Sequence, residues 1–250
     1  MLKDDMLRAL DPVEFSRYIG IDPDPWQSDV LRSEDKRMLL NCSRQSGKST
    51  TCAVKALHTA IYRPKSLILL VSPSLRQSQE LFRKVKDAYG AMGDRPGLTE
   101  DNKLSLTLVN NSRIVSLPGD QSTVRGYSGV TLILEDEAAQ VSDDFYHAIL
   151  PMLIINDGQL ICMSTPFGKR GHFFEEWING SEDWKRIEIT ADKCPRIAEE
   201  QLEAQRRSMG DMFYRQEFCC EFVETEDSSF NYDLVQRAFS DEVKPLFVEV

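Results

Sequence analysis

Nine consecutive residues, Cys42-Ser43-Arg44-Gln45-Ser46-Gly47-Lys48-Ser49-Thr50, follow the spacing G-x-x-x-x-G-K-[ST], with Cys42 in place of the first glycine. This spacing suits phosphate. Backbone N–H groups of a loop that opens a helix aim at phosphate oxygens, and Gly47 lets the backbone approach closely. The Lys48 ammonium reaches the β- and γ-phosphates, and the Ser49 hydroxyl ligates Mg²⁺. Cys42 is acceptable if its position does not require a positive φ. Further along, Leu132-Ile133-Leu134-Glu135-Asp136-Glu137-Ala138-Ala139 is an apolar run that ends in three acids, a Walker B pattern. Asp136 is assigned to the metal and Glu137 to the attacking water. Glu135 is read as a solvated strand-end charge.

A loop and an acid cluster so far apart in sequence can meet only if a sheet brings two strand ends together. The chain alternates apolar runs with helical patterns, which indicates an α/β fold with a mostly parallel sheet flanked by helices. Residues 37–42 read as a buried strand, 48–62 as a helix, 66–72 as a second strand and 74–89 as an amphipathic helix. Residues 90–101 read as a loop, and 104–109 with 113–117 as a hairpin around Asn110-Asn111. Strands come next at 130–135, 159–164 and 184–189, the second closed by Thr165-Pro166-Phe167-Gly168. After Cys194-Pro195 the texture becomes a polar helix over 196–209, a stop at Gly210, a short helix over 212–218 and a β-like CCEFV. The expected division is a core over residues 1–195 and a small lid with the start of a linker over 196–250.

The chain has 250 residues, 41% of them hydrophobic, with 30 Lys+Arg against 40 Asp+Glu, a formal charge of −10. That balance excludes a generally basic surface, so any contact with nucleic acid must be a local patch. Arg76, Arg83, Lys84, Lys86, Arg95 and Lys103 are the nearest such cluster, although a solvated helix face explains Arg83, Lys84 and Lys86 equally well. No apolar run approaches the ~20 residues that span a bilayer, and the acid-studded amino terminus lacks a signal-peptide centre, so a cytoplasmic location is expected. The six cysteines show no CxxC pair and read as reduced, buried residues. His58, His147 and His172 form no ligand spacing and read as structural.

Taken together, SRQSGKS, DEAA at 136–139, Ser164-Thr165-Pro166 after the next strand and FYRQEF at 213–218 resemble the ATPase domain of phage large terminases. The resemblance implies a P-loop NTPase fold of the additional-strand, catalytic-glutamate (ASCE) type. It implies ATP and Mg²⁺ as cofactors and translocation of double-stranded DNA into a procapsid. A helicase-like superfamily 2 DNA-dependent ATPase shares the first two elements and is the alternative. By the same resemblance, Ser43, Arg44, Gln45, Ser46, Gly47, Lys48, Ser49 and Thr50 cradle the nucleotide, and Arg44 contacts the γ-phosphate. Gln27 looks like the glutamine that reads adenine, or else a polar residue at a helix start. Ser164 and Thr165 look like the coupling motif, or else an ordinary strand-ending turn. Arg125 resembles an arginine finger inserted into a neighbour's site, the other reading being an exposed loop arginine. Implied partners are a portal protein, a small terminase subunit and further copies in a ring, with a monomer when the domain is isolated. The implied place of work is the portal in the host cytoplasm. The metal-binding nuclease that large terminases carry has no counterpart here, so no nuclease activity is expected.

Overall fold

The structure, a computed structural model, describes residues 2–119, 124 and 126–224. In chain order the strands are β1 (Arg37–Cys42), β2 (Leu67–Ser72), β3 (Leu98–Asp101), β4 (Ser105–Leu108), β5 (Arg113–Pro118), β6 (Leu132–Asp136), β7 (Gln159–Ser164) and β8 (Trp184–Ile189). The helices are α1 (Leu2–Leu10), α2 (Pro12–Tyr18), α3 (Pro25–Arg32), α4 (Lys48–Tyr62), α5 (Leu75–Gly90), α6 (Asp143–Ile149), α7 (Gly171–Ile178), α8 (Glu199–Met209) and α9 (Asp211–Cys219).

The strands form one sheet in the order β3-β4-β5-β2-β6-β7-β1-β8. From β5 to β8 every pairing is parallel, and β3 and β4 extend the β5 edge as an antiparallel meander. The central strands are buried on both faces because each carries apolar residues at odd and even positions. Met38, Leu40, Leu70, Leu132 and Leu134 pack on one face with residues of α2 to α5. Leu39, Leu69, Ile133 and Cys162 pack on the other with Phe145 of α6 and Phe173 of α7. Each such side chain contributes roughly 2 kcal/mol of transfer free energy.

The α/β expectation and the hairpin turn at Asn110-Asn111 agree with this architecture, and Asn111 takes the left-handed φ of 65° that such a turn uses. Two local readings differ. Residues 98–101, read as loop, form the edge strand β3, which pairs irregularly with β4 and is mostly exposed, so its polar sequence carries little strand signal. The CCEFV segment is not a strand: Cys219 ends α9, Cys220 caps it at φ 60°, and 221–224 run on irregularly. The six cysteines are all free.

α3 is held from its carboxyl end by a buried amine. Lys55 of α4 donates to the carbonyl oxygens of Val30, Leu31 and Ser33 at 3.1, 3.0 and 2.7 Å, and burial draws its pKa down to about 8. Lys55→Met should leave these carbonyls without a donor and cost about 2–4 kcal/mol. That should lower the thermal midpoint by roughly 5–15 °C. A calorimetric midpoint within about 2 °C of wild type, well short of that shift, would show that water replaces the ammonium.

Candidate nucleotide-binding site

β1 delivers the chain to a tight loop. Cys42 is the last residue of β1, is fully buried and has no positive φ, so the missing glycine is not needed there. Two left-handed residues shape the turn, Gln45 at φ 59° and Gly47 at φ 94°. The Ser46 hydroxyl donates back to the Ser43 carbonyl at 2.9 Å. The φ of 94° favours glycine at this position, and a Cβ there would lie 2.6 Å from Gln27 Nε2 and push that carboxamide aside. α4 then starts at Lys48, with its free N–H groups directed at the loop's mouth.

Three strand ends converge there. The Ser49 hydroxyl lies 3.4 Å from Asp136 Oδ1, and Lys48 Nζ is 3.5 Å from Glu137 Oε1. The Ser164 hydroxyl, at the end of β7, is 3.4 Å from Glu137 Oε2, and Thr165 comes after it, buried. Lys48 is only 7% exposed although it is cationic. Burial, with the neighbouring Glu137 charge adding to it and Lys48 opposing, pushes the Asp136 carboxyl up to about 6. A buried acid beside a serine hydroxyl is a hard-oxygen donor set of the kind a Mg²⁺ ion takes.

The other sequence-predicted residues are placed differently. Gln45 is exposed at the loop's apex and Thr50 half-buried in the first turn of α4. Gln27 is buried and uses both ends of its carboxamide inside the protein: Nε2 donates to the Ser46 carbonyl at 3.2 Å, and Oε1 accepts from the Asp24 N–H at 2.9 Å. Arg44 turns outward and pairs with Glu217 of α9 at 2.6 Å, and its backbone N–H donates to the Glu217 carbonyl at 3.0 Å. Arg125 lies outside the described residues.

Three side chains at the site escape a reading by motif. Arg196 donates to the Ser46 carbonyl at 2.9 Å and pairs with Asp24 at 2.8 Å, clasping the phosphate loop from beyond the last strand. No spacing signal marks it. Glu135, read as a solvated charge, is instead fully buried and pairs with His172 of α7, Nε2 to Oε2 at 3.1 Å. The strand alternation explains the correction: Glu135 shares a face with Ile133, under α7, whereas Asp136 shares the α4 face with Leu134. Burial works against charge on His172, but the Glu135 and Asp143 carboxylates outweigh it and raise its pKa.

A phosphate-binding loop between β1 and α4, facing acids at the end of β6 across an intervening strand, defines a domain of the P-loop NTPase fold. Residues 39–237 match the family described as terminase large subunit, T4likevirus-type, N-terminal, and the chain belongs to that family. It is 28% identical over 254 residues to the terminase large subunit of Thermus phage G20c, covering 87% of this chain and 52% of that relative. The chain thus spans about half the length of the curated relatives it matches. Among solved structures, the large terminase ATPase domain of Thermus phage P74-26 superposes with a TM-score of 0.71 at 24% identity, over 84% of this chain and 98% of that one. The large terminase of another thermophilic bacteriophage, in complex with ADP, gives 0.67 at 13% identity, over 80% and 54%.

Proposed function

We propose that this chain is the ATP-hydrolysing motor domain of a phage large terminase, driving double-stranded DNA into a procapsid. One observation carries the reading: at the carboxyl edge of the sheet, Lys48 pairs with Glu137, Ser49 with Asp136 and Ser164 with Glu137, which brings groups from three strand ends to one place. The family membership and the ADP complex of the thermophilic-phage relative support it.

In this reading the loop N–H groups and Lys48 hold the β- and γ-phosphates, and Ser49 and Asp136 hold Mg²⁺, which when bound neutralises charge on the phosphate oxygens. Glu137 orients the water for in-line attack and takes its proton. Ser164, bonded to Glu137, and Thr165 behind it report the presence of the γ-phosphate. Gln27 serves the site by holding the Ser46 turn, and it would have to release that carbonyl to read adenine. Arg44, paired with Glu217, would likewise have to exchange that partner for phosphate. Of the division expected above, the described residues up to 195 are assigned to the core and 196–224 to the lid; residues 225–250 lie outside the described residues. Arg196 and Glu217 join the lid to the loop, and the Cys220 carbonyl, which accepts from Asn41 Nδ2 at 2.9 Å, joins it to β1.

The proposed partners are double-stranded DNA, a portal protein, a small terminase subunit and other copies in a ring, working at the portal in the host cytoplasm. No helix of the described residues is long and apolar enough to cross a membrane. In the basic cluster, Arg83 pairs with Glu80 and Lys86 with Asp101, which favours a solvated helix face over a grip on DNA. Arg125 is proposed as the finger acting in a neighbouring subunit. Steady-state ATP turnover tests both levels. The wild-type chain should hydrolyse ATP with Mg²⁺, and absence of turnover under ring-forming conditions would defeat the motor reading. Arg125→Ala subunits mixed with Glu137→Gln subunits should recover activity that neither shows alone; no recovery in the mixture would remove the finger role.

A further inference from the structure

We propose that His172 is a positioning residue for hydrolysis: paired with Glu135 behind the sheet, it fixes the end of β6 from which Asp136 and Glu137 reach the nucleotide. The inference rests on the ATPase reading above and names a residue outside the P-loop and Walker B patterns.

The Glu135 side chain is fully buried on an apolar sheet face, next to Cys162 in the β6–β7 register. An isolated carboxylate there is expensive unless it is paired and hydrogen-bonded. His172 supplies the pairing, and its ring is held on several sides. It stacks on Tyr146 of α6, with centroids 4.3 Å apart and planes 10° from parallel, and the Tyr146 hydroxyl is anchored on Glu176 at 3.0 Å. Asp143 accepts from the His172 backbone N–H at 2.6 Å and lies 3.5 Å from Nδ1. A ring fixed in this way holds Glu135, and Glu135 immediately precedes the acid assigned to the metal.

The turn beyond Glu135 needs such support. Glu137 sits at φ 54°, a left-handed angle that costs a non-glycine residue on the order of 1 kcal/mol and persists only when its surroundings impose it. On the nucleotide side that turn is tied to β7 by Ser164. On the opposite side it is tied by His172 to α7, the next helix after β7. The acids are therefore clamped from both faces of the sheet by one continuous piece of chain, the β7–α7 connection. Without His172, Glu135 is left on an apolar face with no partner, which draws the end of β6 toward water. Asp136 and Glu137 move with it, and a displacement near 1 Å can cost on the order of 100-fold in rate.

The test compares turnover with nucleotide affinity. His172→Leu should lower kcat by roughly 10–100-fold and leave the Kd for ADP without metal unchanged, because the loop that binds phosphates is untouched. His172→Gln, which can still donate to Glu135, should keep most of the rate. Should His172→Leu fail to fold, Glu135→Leu cuts the same link from the other side, and it should lower kcat with ADP affinity intact, whereas Glu135→Gln, which can still accept from the His172 ring, should keep most of the rate. Wild-type kcat in folded His172→Leu or in folded Glu135→Leu overturns the proposal, as does an equal loss in His172→Gln and His172→Leu. Glu135, Cys162 and His172 also present donor atoms within 4.8 Å of one another; one tightly held zinc per chain by elemental analysis would make this a metal site and overturn the ion-pair role. If the wild-type chain itself does not hydrolyse ATP, the ATPase reading fails first, which separates the two failures.

Discussion

Glu137→Gln should reduce ATP turnover by ~10²–10⁴-fold, the range for losing a positioned general base, while ATP continues to bind. Glutamine keeps the shape and can still accept from the Ser164 hydroxyl, which lies 3.4 Å from Oε2 in the wild type, so the left-handed turn at residue 137 has no reason to rearrange. It cannot take a proton from water. It also removes the anionic partner of Lys48, 3.5 Å away, which frees the ammonium for phosphate. Binding should therefore be equal or tighter while chemistry stops, a pattern seen by comparing the Kd of ATP in equilibrium titration with single-turnover rates. Turnover near the wild-type rate would move the base to another residue.

Asp136→Asn should stabilise the metal-free protein at neutral pH and abolish the Mg²⁺-dependent turnover proposed above. The folded-state value near 6 lies above the ordinary aspartate value of 3.8, so between those limits the folded protein holds its proton more tightly than the unfolded chain. Stability therefore falls as pH rises through this window, and above it the ionised carboxylate costs up to about 3 kcal/mol. Asparagine carries no such cost. Denaturant unfolding in EDTA should show the variant ahead of wild type at about pH 7.5, with the gap closing near pH 4, as linkage requires. Equal stabilities at the higher pH would mean that the carboxylate is fully compensated without metal. The same raised value predicts that Mg²⁺ binding weakens as pH drops below about 6, because the ion must displace a proton.

Most of the site's frame is legible in the sequence because its signals are local. A glycine before Lys48 at a strand-to-helix turn and acids at the end of an apolar strand each follow from backbone physics. The structure brings Lys48, Ser49, Asp136 and Glu137 together at the carboxyl ends of β1 and β6. Two kinds of information stay out of reach of such reading. One is the partner of a long side chain, as when Arg44 is drawn to Glu217 and Arg196 crosses to Ser46; residues so far apart leave no periodic trace. The other is strand parity. Three acids in a row look alike, but alternate positions face opposite sides of a sheet, so Glu135 takes the apolar side of Ile133 and meets His172 there. The edge strand β3 leaves no mark for a different reason: an exposed strand needs no apolar pattern.

The placement of β7 between β1 and β6 makes the width of the proposed nucleotide cleft a property of the sheet. Two interstrand spacings, roughly 10 Å, separate the strand that launches the lysine from the strand that launches the acids. The backbone ladder works as a calliper whose jaws loop sequences cannot widen. Exchanging surface loops with a distant homologue should therefore spare the alignment of the reacting groups, whereas one bulky residue wedged into the floor at Cys162 or Met163 should spoil it from beneath.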